Sequence, residues 1–342
     1  MNNQTFVSFS VFHVYISLLK AFHFKNDYPA SKLYLIMTDH FPGGTIYKKR
    51  IEELRLFESI FIVHDLKVRK KFSGKKNTLK RIFYRKKLLL ELFNDDLNES
   101  LIKALEESEI NLFLDSTQFV QLLYYLFPDN NYRLFEDGER IYMEFKDDWQ
   151  HYIKHYVLNY PKKYGRDPQI KEVVVQHPSN LPKHIREKGQ KINFHELSTS
   201  LKEKEKNQIL NVFMDNSDFK LESSGKKMLL ITQPLSEDGY IAEEYKMDLY
   251  SRIMNNYGSG FKIYIKPHPR EKTDYSVFKN ANIINRSFPL ELLDYLNDFQ
   301  FDRGVTLFSS AIKNSDLIKE KIFLGINWDQ KVAKAFPFKP AY

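Results

Sequence analysis

What most limits the folds open to this chain is one repeated pattern: a short run of mostly apolar residues, a polar turn, and a longer segment with helical spacing. TFVSFSV at 5–11 opens it, and a helix-period segment follows from about His13 to Lys25. KLYLIM at 32–37, FESIFIV at 57–63, INLFLD at 110–115 and YRLFED at 132–137 repeat the strand signal, completing one sheet by about residue 155. Strands that alternate with helices are joined by crossovers, which predicts parallel sheets in an α/β fold.

After a less regular stretch rich in Lys, Pro and Asn the pattern resumes. KMLLIT at 227–232, a helix over 238–256, FKIYIK at 261–266, NIIN at 282–285, a helix near 289–297, GVTLFSS at 304–310 and KIFLGI at 321–326 make a second half. Neither half carries a Gly-rich phosphate fingerprint. The expectation is two facing Rossmann-like domains, residues 1–155 and 156–342, with an irregular linker at about 156–200 and a cleft between them. Ligands of such sheets gather outside the carboxyl ends of the strands.

At 342 residues the chain can bury its cores without disulfide or metal staples, and it has no cysteine. Cysteine nucleophiles and ligands are therefore excluded, and a reducing compartment is the natural setting. No segment reaches the ~18 uninterrupted apolar residues of a spanning helix. The apolar N-terminus lacks a basic flank and a small-residue cleavage site, so it reads as the first strand and helix, not a leader.

Net charge is +8 and points to anionic partners. Much of it is concentrated in KVRKKFSGKKNTLKRIFYRKK, residues 67–87, with eleven basic residues and no acidic one. A solvated helix face would explain such a run. The functional alternative is a patch on anionic lipid, with Phe72, Ile82, Phe83 and Tyr84 as apolar anchors. Nucleic acid is disfavoured because no binding module accompanies the run. The expected location is cytoplasmic, with peripheral contact at the inner face of the cell membrane.

Four short motifs fall at predicted strand ends or helix starts. LFEDGER brings Glu136, Asp137 and Gly138 to the end of a strand; Asp-Gly is a common turn pair, but a carboxylate there can also take a proton from a hydroxyl. IYIKPHPREK holds His268 between two prolines, with Lys266 before it and Pro269 and Arg270 after it, a plausible phosphate site. FPLELL puts Glu291 in the first turn of a helix, as a macrodipole cap or as a carboxylate for the two hydroxyls of a ribose. TLFSSAI offers Ser309 and Ser310 as an N-cap or as hydroxyls for an anion. Phe12 and His13, after the first strand, read as a core aromatic and a helix-start histidine or as acceptor contacts. A second His-Pro pair, His177-Pro178, lacks basic neighbours and is set aside.

The order acidic-acidic-Gly, Lys-x-His-Pro, Pro-x-Glu and Ser-Ser resembles the bacterial sialyltransferases of glycosyltransferase family 52 and the related families 38 and 80. The resemblance implies the two-domain GT-B fold and an inverting, metal-independent transfer of sialic acid from CMP-sialic acid to a sugar hydroxyl, with terminal galactose of a capsule or lipooligosaccharide as acceptor. It implies Asp137 as general base and His268 as the group that meets the departing phosphate. Lys266, Pro269, Arg270, Glu291, Ser309 and Ser310 would hold the nucleotide, while Glu136, Gly138 and His13 would lie toward the acceptor. No cofactor is implied, and a homodimer is compatible with it. Two alternatives stay open. One is another GT-B transferase of cell-surface polymer synthesis, using a hexosyl, Kdo-type or CDP-glycerol donor. The other is a non-enzymatic basic protein that binds nucleic acid or membrane.

Overall fold

The computed structural model describes residues 3–41, 43–144, 160–214, 224–295, 300–309 and 317–336, together with Trp149, Ile153, His155 and Ile312. The chain divides into two units, residues 1–212 and 213–342. Each is built on its own wholly parallel sheet.

The first sheet has seven strands: β1 (Asn3–Ser8), β2 (Leu33–Thr38), β3 (Ser59–Val63), β4 (Ser108–Leu112), β5 (Tyr132–Phe135), β6 (Ile170–Val175) and β7 (Gly189–Lys191). Their spatial order is β3-β2-β1-β4-β5-β6-β7. The central strands β1 and β2 are buried along their whole length; β2 accordingly reads as a continuous apolar run, whereas β1 buries Asn3, Gln4, Thr5 and Ser8 in hydrogen bonds to neighbouring groups. The helices of the same unit include α1 (Val11–Asp27), α2 (Gly44–Glu53), α3 (Asp65–Phe72), α4 (Thr78–Phe83), α5 (Arg85–Phe93), α6 (Glu99–Glu106) and α7 (Gln118–Leu126). Ser10, Asn98 and Thr117 cap α1, α6 and α7 by accepting a backbone N–H three residues on, so the short loops leaving β1 and β4 each end in a side chain that starts a helix.

Two expectations change here. The supposed linker contains β6 and β7, so the first sheet runs to Lys191 and the units part at Val212, not near 155. β6 was obscured by its polar flanks. β7 is a three-residue edge strand whose sequence, Gly-Gln-Lys, has no apolar signature. Within the basic run, Phe72 packs into the core and Ile82 is half-buried. Phe83 and Tyr84 are exposed as expected, and Leu79, not among the expected anchors, is exposed with them.

The second sheet has five strands, β8 (Lys227–Ile231), β9 (Lys262–Lys266), β10 (Ala281–Ile283), β11 (Phe301–Thr306) and β12 (Ile318–Phe323), in the order β10-β9-β8-β11-β12. The helix Glu243–Tyr257 lays Leu249, Tyr250, Ile253 and Met254 against it. The segment expected as a helix near 289–297 is a 3-10 helix over Leu290–Tyr295. Among the described residues no helix is long and apolar enough to cross a membrane.

Candidate active site

In the first unit the chemistry collects at the carboxyl edge of β1, β4 and β5. These strands are adjacent, with Val7 level with Leu112 and Leu112 level with Leu134. The loop after β1 delivers His13 in the first turn of α1, where its N–H is fixed by the Ser10 cap. The Phe9 N–H donates to His13 Nδ1 at 3.1 Å, which leaves the ring proton on Nε2. Phe113, the first residue beyond β4, stacks on the imidazole at 4.5 Å and itself touches Phe135. The buried ring is thereby aimed at the next strand end, where His13 Nε2 lies 3.0 Å from Asp137 Oδ1. The contact is off-line, since Nε2 makes no well-angled hydrogen bond.

The two carboxylates of the acidic pair have separated. Glu136 turns sideways and accepts from the Gln176 N–H at 2.7 Å and from the Tyr142 hydroxyl at 2.5 Å, tying the end of β5 to the end of β6. Asp137 points the other way and keeps 40% of its side chain exposed. Burial alone would raise its pKa, but the His13 contact and the nearby Arg140 charge outweigh that and hold it below the usual carboxylate range. It is thus ionised and open to a ligand. Gly138, at φ 79° and ψ −176°, turns the chain away directly after it, in a region glycine alone occupies comfortably.

Sequence reasoning missed the neighbours on this edge. His177, set aside earlier, is exposed just beyond β6, and its N–H donates to the same Tyr142 hydroxyl that binds Glu136. After β2, His40 Nε2 lies 2.7 Å from the buried Asp65 and its ring meets Phe9 edge-on. The signal was present in TDHFPGG, a polar, glycine-rich turn following an apolar strand.

In the second unit the corresponding edge belongs to β9, β8 and β11. Lys266 is level with Ile231, and Ile231 with Thr306. At ~4.8 Å per strand the two outer ends are about 10 Å apart, so the residues just beyond them share one rim. Lys266 is buried, and its ammonium donates to the carbonyls of Pro267 and Arg286, each at 2.9 Å. Burial lowers its pKa to about 8 against the pull of Glu291 and Glu271. Glu291 stands in the first turn of its 3-10 helix, half-buried, with its carboxyl raised by burial and partly restored by its own backbone N–H and by Lys266.

His268 is fixed at two atoms. Its backbone N–H donates to Glu271 Oε2 at 2.6 Å, and the Arg270 N–H donates to its Nδ1 at 3.1 Å. The remaining ring proton is therefore at Nε2. Burial, reinforced by the Arg270 and Lys266 charges, lowers its pKa to about 4, so the ring is neutral at pH 7. Arg270 reaches Asp238 through both terminal nitrogens, at 2.6 and 3.0 Å. Ser309, half-buried, donates its N–H to Thr306 Oγ1 at the end of β11. Ser310 lies outside the described residues. Pro269 occupies the turn between His268 and Arg270.

Beneath this rim is a cluster of which only Glu271 belongs to a quoted motif, IYIKPHPREK. Lys246, fully buried in the Glu243–Tyr257 helix, lies 2.9 Å from Glu271 and 2.8 Å from Glu237, and donates to Thr273 Oγ1 at 2.7 Å. Glu271 also accepts from the Tyr275 hydroxyl at 2.9 Å. Burial would raise the Glu237 carboxyl, but the Lys246 hydrogen bond and the Lys272 N–H hold it down at about 2. The rigidity of the His268 turn originates here. A shallow depression of about 760 Å³ beside β3, lined among others by Lys48, Glu58 and Asn98, opens toward the amino end of that strand and contains none of these groups.

The sequence profile of glycosyltransferase family 52 matches residues 57–326. The chain belongs to glycosyltransferase family 52. An uncharacterized protein of Haemophilus influenzae (strain ATCC 51907 / DSM 11121 / KW20 / Rd) is 36% identical over 208 residues, which is 59% of this chain and 65% of that relative, or less than two thirds of its length. Among solved structures, the GT-B domain of a Photobacterium damselae sialyltransferase superimposes with a TM-score of 0.54 at 11% identity, over 94% of this chain and 91% of that one. A 2,6-sialyltransferase from Photobacterium sp. JT-ISH-224, solved with CMP and lactose, gives 0.56 at 12% identity, over 94% and 71%. At such identities the likeness concerns the fold, and the two Rossmann-like units of this family 52 chain are of the GT-B kind.

Proposed function

We propose that the chain is an inverting sialyltransferase that moves sialic acid from CMP-sialic acid to a sugar hydroxyl, terminal galactose in the first instance, of a bacterial surface glycan such as a capsule or lipooligosaccharide. The observation that carries this reading is the strand end beyond Lys266. An imidazole held at its backbone N–H and at Nδ1, with its proton on Nε2, stands there among cations that suit a nucleotide phosphate. Family membership supplies the reaction class.

In this mechanism the ionised Asp137 takes the proton of the acceptor hydroxyl. The freed oxygen bonds to the anomeric carbon of sialic acid as the bond from that carbon to the phosphate oxygen breaks. The electron pair leaves with CMP. His268 Nε2–H donates to the departing oxygen, and Lys266 and Arg270 offset the charge that grows on the phosphate. Such donors are in place before the reaction and each contributes ~3 kcal/mol. Glu291 receives the ribose hydroxyls, and Ser309 and Ser310 the phosphate. A single displacement inverts the anomeric centre, and the cationic side chains serve where other transferases use a metal.

The test is incubation of the purified chain with CMP-sialic acid and a panel of galactose-terminated and sialic-acid-terminated acceptors, with products read by mass and turnover repeated in EDTA. Asp137→Asn and His268→Asn should each lower kcat by on the order of 100-fold or more while the protein stays folded. Transfer from a UDP-hexose or CDP-glycerol donor with none from CMP-sialic acid would replace this reading with one of the other polymer-forming transferases.

A further inference from the structure

The basic run takes no part in either strand-end site. Residues 67–87 span α3, α4 and the start of α5. Nine of the eleven cations are exposed; Arg81 is half-buried, and Arg85 is buried, with its guanidinium against the rings of Phe72 and Tyr160. Arg85 thus works as a core strut that anchors the patch to the unit.

The apolar side chains among these cations are oddly placed for a merely solvated face. Leu79 is 69% exposed, Phe83 70% and Tyr84 64%. Leu79 and Phe83 are four residues apart in α4 and so share one side of the helix, and Tyr84 follows directly. On an ordinary surface, large apolar groups occur singly. Here three lie within six residues, flanked by Lys75, Lys76, Lys86 and Lys87, with no carboxylate in the run. Lys80 pairs with Glu91 from α5; the remaining exposed lysines have no acidic partner within the segment itself.

We propose that this face docks on an anionic lipid bilayer, with Leu79, Phe83 and Tyr84 entering the boundary between headgroups and acyl chains and the flanking lysines meeting lipid phosphates. A bilayer offers what the patch is made for, negative charge and an apolar layer a few ångströms beneath it. A nucleic-acid groove would meet the charges but leave Leu79 and Phe83 without an apolar partner. An acidic protein surface would have to supply a hydrophobic pocket amid its carboxylates. The inference rests on the surface alone and is independent of which sugar the enzyme transfers.

The experiment is flotation of the full chain with vesicles of phosphatidylcholine, with and without phosphatidylglycerol, at two salt concentrations and without substrate. Strong partition onto the anionic vesicles, little onto the neutral ones, and weakening at high salt are expected. Lys75→Gln/Lys76→Gln/Lys86→Gln/Lys87→Gln should weaken partition about 1,000-fold, from four charges near the surface. Leu79→Ser/Phe83→Ser/Tyr84→Ser should weaken it tenfold or more with the charge intact. Both variants alter exposed side chains and should melt like the parent. Equal binding to both vesicle types, insensitivity to both variants, tighter binding to RNA than to anionic vesicles, or a patch-dependent dimer in place of lipid binding would each overturn the proposal.

Discussion

Glu136 and Asp137 show how two identical functional groups acquire different jobs from one peptide bond between them. Glu136 is engaged by a backbone N–H and a hydroxyl that tie two strand ends together, whereas Asp137 is ionised, partly exposed and steered by His13. The glycine after them makes the separation possible. Gly138→Ala should cost on the order of 1–3 kcal/mol through backbone strain, since no neighbouring atom crowds a methyl there. It should also lower turnover by displacing Asp137; thermal melts and kcat together check both effects. His268 gives a sharper test. In free protein its imidazole should titrate near 4 by NMR, and adding CMP should raise that by about one unit or more, because a phosphate favours the cation. Lys266 runs the other way. Its charge is lost as pH rises through about 8, so the Kd for CMP should be flat below that pH and increase above it.

At the scale of elements, the turn after β9 is stiff because a helix lies behind it, not because it holds two prolines alone. Lys246 on the helix Glu243–Tyr257 and Glu271 on the turn are both fully buried, and removing one would strand the charge of the other. Lys246→Met should therefore destabilise the second unit by about 3–5 kcal/mol, while Lys246→Met/Glu271→Gln should recover part of that loss; urea unfolding of the two variants and the parent decides it. Acid sensitivity follows from the same region. His268 and Glu237 both have folded pKa values below their unfolded ones. The stability each contributes is present above its unfolded pKa and is lost as pH falls, from about 6.5 to 4 for His268 and from about 4.5 to 2 for Glu237. His268→Asn should flatten the upper part of that decline in a series of melts.

These elements also mark what the amino-acid sequence can and cannot disclose. Buried parallel strands such as KLYLIM announce themselves, because both faces must be apolar. The strand-end motifs were legible for the same reason, being the polar residues that interrupt such runs. The Lys246 cluster was not legible. Its members are 25 and 9 residues from Lys246 and meet only once the helix has crossed back over the sheet, so no local spacing reveals them. His13 and Asp137, 124 residues apart, meet because β1 and β5 flank β4, an order that strand signals alone do not give. Gly189–Lys191 could not be seen because an edge strand this short needs only backbone hydrogen bonds, which any sequence can make.

For the molecule as a whole, the division at Val212 means that each sheet and its core belong to a continuous stretch of chain. A fragment ending at Val212 should fold by itself, with circular dichroism and hydrogen-exchange protection matching that part of the parent. CMP should protect amides only in the second unit, and at ~100 times its Kd should add ~2.7 kcal/mol to that unit's stability. Protection by CMP within the first unit would contradict the assignment of the nucleotide to the rim of β9, β8 and β11.

Because the strands of each sheet run parallel, the candidate site residues at strand ends gather at one rim of each sheet, and the opposite rim carries turns that enter the strands. The turn entering β2 at Tyr28–Ser31 and the one entering β9, where Gly260 has open space around it, belong to that quiet side. Those two turns are the natural sites for a fluorophore, an affinity handle or a surface tether.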